Sequence, residues 1–324
     1  MKAIRVHQFG PPSVMTYEEV PDPVADVRPA AGQALVRVKA AGVNPVDTYV
    51  REGNYGVQMP LPFIPGTELC GDVIEGPPEL IGKRVFALGT AGPRLSGCYA
   101  SMAVCNAADL YELPDPYSYS QGAAIPVSYG TAWRALFDRA KAEPGHLVLI
   151  HGASGGVGTA AAQLASGRGC IVFGTASTER GKKLARDCGC VEVVDHKSAD
   201  YADDLLAYTK GRGFDVIIEM LANVNLDRDL DLIAPGGTVV VVGNRGRTEI
   251  DPRKTMGKEC NITGVALWAG GQSALQRAFA GIAAKLKSRS INPMVGVELP
   301  LATAAKAHEL VTQEGSHGKI VLLT

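Results

Sequence analysis

The chain has 324 residues, room for roughly two domains at about 150 residues each. Lys and Arg number 32 against 33 Asp and Glu, and that balance excludes the basic excess of a dedicated nucleic-acid binder. The longest apolar runs, such as Val239 to Val242, fall far short of the roughly 20 residues of a membrane span, which excludes a helical membrane protein.

The N-terminal stretch Met1 to His7 alternates in polarity like a strand and has no signal-peptide core. Seven cysteines are scattered without a CxxC pair, which points to reduced thiols and a cytoplasmic location. Over the first 120 residues or so, short strands at Ala34–Ala40 and Arg84–Leu88 are separated by Gly and Pro clusters, the texture of a barrel or sandwich with functional loops. Near Gln121 the pattern changes to strand, glycine turn and helix in repetition. Strands are expected at Leu147–Ile150, Ile171–Thr175, Val191–Val194, Asp215–Glu219 and Gly237–Val242. Helices are expected at Thr159–Ser166, around Lys182–Arg186 and around Ala202–Tyr208. Near-continuous apolar strands alternating with helices indicate an α/β fold, with a parallel sheet buried on both faces. Beyond residue 262 one helix, Ser273–Ser288, precedes a last strand, Lys319–Leu323.

The sharpest motif runs from Val148 to Gly158: a buried strand, the turn His151-Gly152-Ala153-Ser154-Gly155-Gly156-Val157-Gly158, and an Ala-rich helix. Backbone N–H groups at such a helix start, with the helix dipole, bind a pyrophosphate. Gly155 would let the backbone approach the phosphates, and Gly158 would let the helix pack on the strand. Ala153 stands at the first glycine of G-x-G-x-x-G, and glycine turns also serve plain chain reversal, so the surrounding strand–turn–helix–strand order carries the reading. The second strand ends Thr175-Ala176-Ser177-Thr178 with no acid before Glu179, and Arg180, Lys182 and Lys183 follow. Hydroxyls and cations suit a 2′-phosphate, so NADPH is expected over NADH, against the alternative that these cations form a solvated helix face.

Four segments carry a resemblance: Gly152–Gly158, Ile217–Leu226, Val242–Gly246 and Gly42–Arg51 together resemble the zeta-crystallin quinone oxidoreductases, zinc-free members of the medium-chain dehydrogenase/reductase superfamily. The likeness runs end to end. It implies a Rossmann doubly wound sheet inserted in a GroES-like β-rich catalytic domain: residues 1–121 catalytic, 122–261 NADPH-binding, 262–324 catalytic again. It implies NADPH in the cleft between domains and reduction of quinones, with ortho-quinones favoured and electrons passed as hydride or singly. Tyr49 is implied beside the nicotinamide. Ser154, Gly155, Gly156, Val157 and Gly158 are implied at the phosphates, Ser177 and His196 at the adenosine half, and Lys182 near the 2′-phosphate. Thr131, Asn225, the run Val242, Gly243, Asn244 and Arg245, and Val265, Ala266 and Leu267 complete the implied cofactor contacts. For His196 a turn-capping role competes with this. Ser177 replaces a glycine of close relatives. The loop after Val73-Ile74 looks shortened and Ala91–Leu95 looks inserted, so substrate choice is expected to differ.

Alcohol dehydrogenases of the superfamily hold zinc with Cys and His. Here Asn44 stands where a Cys ligand would, Pro65-Gly66-Thr67-Glu68 lacks the His, and only Cys98 and Cys105 fall near the absent four-cysteine lobe, so no metal is expected. A quinone is electron-poor enough to need no Lewis acid. Asn44 and Tyr49 are candidates to hydrogen-bond its oxygen and Tyr55 to wall the pocket, against the reading of both tyrosines as half-buried loop residues. Asp47 and Glu219 are left aside because nothing in the sequence pairs either with a base. Alternatives are an enal/enone double-bond reductase, with Tyr49 or water as proton donor, and a protein of another class that binds AU-rich RNA or serves as a structural crystallin. A homodimer or homotetramer is implied, with Asn261 to Trp268 as a candidate edge.

Overall fold

In the computed structural model the N-terminal strands are β1 (Lys2–Val6), β2 (Met15–Glu19), β3 (Gln33–Val43), β4 (Glu68–Glu75), β5 (Arg84–Leu88), β6 (Met102–Asn106) and β7 (Leu110–Glu112). A run of β8 (Leu147–Ile150), β9 (Ile171–Thr175), β10 (Cys190–Val194), β11 (Phe214–Glu219), β12 (Ile233–Val241) and β13 (Asn261–Gly264) follows, and β14 (Val295–Pro300) and β15 (Lys319–Leu323) close the chain. The structure describes residues 1–22, 30–56, 59–89, 97–315 and 317–324; the expected insertion at Ala91–Leu95 lies outside them. The chain divides into two units: Met1–Val127 with Ala283–Thr324, and Ser128–Ile282.

In the first unit β1 and β2 form an antiparallel pair, and a larger sheet runs β14-β15-β3-β4-β5-β7 with β6 also on β3. The C-terminal strand β15 enters this sheet antiparallel to β3, with Ile320 opposite Val43. Its place between β14 and β3 pairs both of its edges, and Lys319 to Leu322 are buried. Ile4, Val36, Leu69, Val85, Tyr99 and Leu322 share one core.

The second unit holds a six-stranded sheet in the order β10-β9-β8-β11-β12-β13. Every pairing is parallel. Numbered from β8, this is the doubly wound order 3-2-1-4-5-6, whose direction reverses between β8 and β11. Leu149, Phe173, Phe214, Ile217 and Val239 pack as one core, with the Phe173 and Phe214 rings edge to face at 5.4 Å. The expected helices are present at Gly156–Ser166, Glu179–Asp187 and Tyr201–Tyr208, and a further helix, Ala222–Leu232, connects β11 to β12.

The chain returns to the first unit at Ala283, later than the boundary at 262 read from the sequence. The cause is packing within the second unit. The Arg134 guanidinium donates to the carbonyl of Leu267 at 2.9 Å, and a Cβ on Gly281 would meet the Trp133 ring at 2.1 Å. The helix Gly271–Lys287 is therefore held at Gly281, and the turn before it at Leu267, against Trp133 and Arg134.

Phe214 is fully buried. Phe214→Ala is expected to lower unfolding free energy by about 3–5 kcal/mol, whereas Met256→Ala at an exposed position should stay within about 0.5 kcal/mol; chemical denaturation reads both.

Candidate functional site

Where apolar strands end, their last residues are free to be polar, and in a parallel sheet those ends carry the ligand-binding loops. Strand β8 ends at Ile150 and runs into the glycine turn. Gly152 has φ +58°, in the left-handed region that favours glycine. The Ala153 N–H donates to the carbonyl of Thr175 at 2.9 Å, and the Gly152 N–H donates to the Thr175 hydroxyl at 3.1 Å, tying the turn to the end of β9. A Cβ on Gly158 would lie 2.3 Å from the Gly152 carbonyl oxygen, so the helix Gly156–Ser166 approaches the turn closely only because residue 158 has no side chain. This backbone fits a pyrophosphate: a helix N-terminus lies behind a turn with no side chain at its closest contact. Ser154 is buried in the turn, and Gly155, Gly156 and Val157 are partly exposed.

On the other side of the topological reversal, β11 ends at Glu219. The Val242 N–H donates to the Glu219 carbonyl at 2.8 Å, the Ala222 N–H to the Gly243 carbonyl at 3.0 Å, and the Arg245 N–H to the Asn223 side chain at 2.9 Å. A Cβ on Gly243 would fall 2.2 Å from the Met220 carbonyl oxygen. The expected contacts Asn225 and Val242 to Arg245 thus belong to two loops sewn together, with Asn244 and Arg245 exposed. Thr131 and Leu267 are buried, Val265 is half-buried and Ala266 exposed. The carbonyls of Ala266 and Leu267 accept from Arg134.

At the end of β9, Ser177 is half-buried and His196, beyond β10, is exposed. Lys182 is less solvated than its surface position on the helix suggests, and its ammonium lies 2.9 Å from Glu179 and 4.0 Å from Asp195. Glu179 is highly exposed, so that pair contributes at most about 1 kcal/mol and yields readily to a phosphate.

Beneath the turn lies a group of residues the sequence left apart. The His151 Nε2 is 2.9 Å from Asp229 Oδ1 and 3.6 Å from Glu219 Oε2, and all three residues are buried. The Glu219 Oε1 accepts from the Leu221 N–H and, at 3.2 Å, from the Asn225 amide. Glu219 therefore does have a base beside it, contributed by a strand 68 residues earlier in the chain. Burial alone would lower the imidazole pKa, but the two carboxyls hold it up at about 8. Burial and Asp229 raise Glu219 to about 7. The available signal was a charged residue closing each of two apolar strands, Leu147-Val148-Leu149-Ile150-His151 and Val216-Ile217-Ile218-Glu219.

In the first unit Tyr49 is half-buried on the helix Pro45–Arg51, and Tyr55 is about 40% exposed just beyond it. Asn44 corrects an expectation. Its amide nitrogen donates to Glu68 at 2.7 Å and to Thr67 at 3.2 Å, and its oxygen accepts from Lys319. Both N–H groups are committed, so Asn44 supports the loop and does not donate to a substrate oxygen. Lys319, which the sequence marks only as the start of the last strand, is buried with its ammonium 2.5 Å from Glu68. A zinc ion does not fit here: the donors are amide, hydroxyl and carboxylate, and the ammonium already satisfies them. Asp47 is also fully buried. One of its oxygens accepts from the Asn44 N–H at 2.8 Å and from the Tyr99 hydroxyl at 3.1 Å, and the other has no hydrogen-bond partner. Burial raises its pKa to about 6.

Residues 30–115 match the family model for the alcohol dehydrogenase GroES-like domain, and residues 156–284 match that described as zinc-binding dehydrogenase. Curated quinone oxidoreductases align with the whole chain and with 98% of their own length: 45% identical for the mouse protein, 44% for that of rat and 42% for the human one. The chain belongs to the quinone oxidoreductase family of medium-chain dehydrogenases/reductases. Among solved structures, the Escherichia coli quinone oxidoreductase complexed with NADPH superposes with a TM-score of 0.88 at 26% identity, and that of Thermus thermophilus with 0.86 at 30%, each covering both chains fully.

A carboxyl whose pKa is raised on folding binds protons more tightly in the native state, so its contribution to stability declines as pH rises from the unfolded value. For Asp47, between about 4 and about 6, the decline amounts to about 3 kcal/mol. Asp47→Asn is expected to remove this part of the slope, read as the difference between variant and parent in denaturant unfolding across that pH range.

Proposed function

We propose that the chain catalyses NADPH-dependent reduction of quinones. The observation that carries this is the glycine turn at the topological reversal, where the Gly158 contact brings a helix N-terminus against a backbone free of side chains. Ser154, Gly155, Gly156, Val157 and Gly158 would hold the pyrophosphate, and Asn225 with Val242, Gly243, Asn244 and Arg245 would line the nicotinamide side. Thr131, Val265, Ala266 and Leu267 would complete that side. Ser177, His196 and Lys182 would hold the adenosine end. NADPH, when bound, supplies the hydride.

The rest of the work is the protein's. Lys182 offers a charge-assisted contact to the 2′-phosphate after giving up an exposed partner. Tyr49 is assigned to donate from its hydroxyl to the acceptor oxygen as negative charge develops there, and Tyr55 to exclude water from the ring of the acceptor. The buried Lys319 ammonium keeps Glu68 and Asn44 ordered behind the helix that carries Tyr49. Ortho-quinones, flat and with adjacent oxygens, suit a single hydroxyl donor, and transfer of one electron at a time is the variant to be separated from hydride transfer. All seven cysteines are free thiols, as suits a reducing compartment such as the cytoplasm. We assign homo-oligomer formation to the sheet edge at β13, where Ile262 is exposed.

The test is oxidation of NADPH and of NADH with 1,2-naphthoquinone or 9,10-phenanthrenequinone, followed spectrophotometrically with and without a chelator. NADPH-selective turnover that ignores the chelator supports the proposal; turnover confined to enones would replace quinones with activated double bonds. Lys182→Ala is expected to cut the NADPH-over-NADH ratio of kcat/KM by roughly tenfold or more, the worth of one hydrogen bond to a charged group.

A further inference from the structure

The cluster under the glycine turn has an imbalance of charge. His151 as imidazolium with two ionised carboxylates carries one net negative charge, wholly buried beside the backbone that is to receive an anion. Two of its oxygens, Glu219 Oε2 and Asp229 Oδ2, have no hydrogen-bond partner. The two carboxyls lie within hydrogen-bonding reach of each other, one of the interactions that favours a proton on Glu219. A single proton placed between them would supply the partner both oxygens lack and would neutralise the cluster.

The cluster is also wired to the loops around it. The His151 N–H donates to the Ile218 carbonyl at 3.0 Å, and its Nδ1 lies 3.4 Å from the Thr175 hydroxyl, the same hydroxyl that accepts from the Gly152 N–H. Glu219 holds the Leu221 N–H and the Asn225 amide. The charged groups facing the cluster come from each neighbouring element. They are His151 after β8, Glu219 at the end of β11, and Asp229 and Arg228 on the helix Ala222–Leu232, while β9 contributes the Thr175 hydroxyl. The Arg228 guanidinium sits 5.1 Å over the Tyr201 ring and donates to its hydroxyl at 3.2 Å, so it acts on the cluster only through space.

We propose that His151, Glu219 and Asp229 form a two-proton site that positions the dinucleotide loops: one proton makes His151 an imidazolium donating to Asp229, and the second is held between Glu219 and Asp229. Glu219 and His151 are positioning residues and do not touch the cofactor. The geometry that presents Asn225 and the Gly152–Gly158 turn to NADPH requires both protons. Losing the second leaves a buried negative charge under the pyrophosphate site, which opposes the cofactor's phosphates and loosens the two loops together. This rests on the assignment of those loops to NADPH made above.

The Kd of NADPH, and of NADH to exclude titration of the 2′-phosphate, would be measured by titration calorimetry from about pH 6 to about pH 9. Affinity is expected to fall as pH rises above about 7, by tenfold per pH unit while the second proton is lost and more steeply once His151 loses the first above about 8. Glu219→Gln keeps the acceptor for Leu221 and Asn225 and places an amide donor where the shared proton stood. Its Kd is expected to stay flat up to about pH 8, where the parent has already weakened, and to rise only as His151 loses its own proton, an outcome a residue needed only for folding would not produce. Parallel profiles for parent and Glu219→Gln overturn the proposal, as does a stoichiometric bound cation found by elemental analysis of the parent protein. Should the variant fail to fold, the infrared spectrum of the parent in D2O decides. A carbonyl band of a buried carboxylic acid at neutral pD that titrates away at high pD supports the second proton, and its absence overturns it. Lack of binding of either nucleotide by both chains at pH 6, with that band present, overturns instead the assignment of the loops to the cofactor.

Discussion

A parallel sheet covered on both faces tolerates charge only where its strands stop, and much of the second unit follows from that constraint. From Val148 to Ile150, and from Val216 to Ile218, every side chain is apolar and buried. The first ionisable residues beyond them, His151 and Glu219, come at the ends of β8 and β11, neighbours in the sheet although far apart in sequence. Their meeting is thus a product of topology. Because the strand order reverses between these two parallel strands, the helices leaving them diverge and open the space in which a dinucleotide loop can sit. The same reversal brings two carboxyls and an imidazole together under that loop.

The first unit answers the same problem with a different group. Glu68 opens β4 and is fully buried, and the strand that neutralises it is the last in the chain, carrying Lys319 at its first residue. Holding an ammonium ion so far from water is costly unless its partners are close and fixed, and Asn44 and Glu68 meet that condition. A Cβ on Gly42 would fall 2.2 Å from the Glu68 carboxylate, so the neighbouring strand is also cut back to make room for it. Lys319 gives the loop before Tyr49 a fixed positive centre built from the chain itself. The substitution of Asn44 and Thr67 for metal-donor residues is consistent with it, since amide and hydroxyl groups solvate an ammonium well and bind a zinc ion poorly.

The elements legible in the sequence were those whose pattern is local. The apolar runs of β8, β9 and β11 and the glycine turn after β8 announced themselves because strand burial and turn geometry are properties of consecutive residues. The short helices Pro45–Arg51, Pro252–Lys258 and Ala304–Leu310 were not singled out, since each is about two turns long and gives too little periodicity to separate from loop. The return of the chain was placed too early because Asn261 to Gly264 reads as a plain strand and nothing nearby shows that the following helix leans on Trp133 and Arg134. Residue roles that depend on distant partners were the least legible. Asn44 was recognised as special but assigned to a substrate oxygen, because its occupants, Glu68 and Lys319, come from 24 and 275 residues away. Glu219 has no base near it in the sequence, and the one it meets in the fold is His151, which opens the glycine turn.

Both units therefore place carboxyl groups where water does not reach, and leave some of their oxygens without a partner: Asp47 in one, Glu219 and Asp229 in the other. Native interiors hold few such atoms, and each costs on the order of 1–3 kcal/mol unless a proton or ion completes it. Replacing these carboxyls by apolar residues would remove that cost, so their retention needs a reason other than stability. Glu219 and Asp229 lie beneath the glycine turn and Asn225, which are assigned to the cofactor, and Asp47 stands two residues before Tyr49 on the same helix. A carboxyl can accept from a loop N–H with one oxygen while its other oxygen takes a proton, so it holds the backbone in front of it without leaving a buried charge. The buried carboxyls trade stability for exact placement of the backbone in front of them, and that placement is what binding a dinucleotide at its phosphates demands.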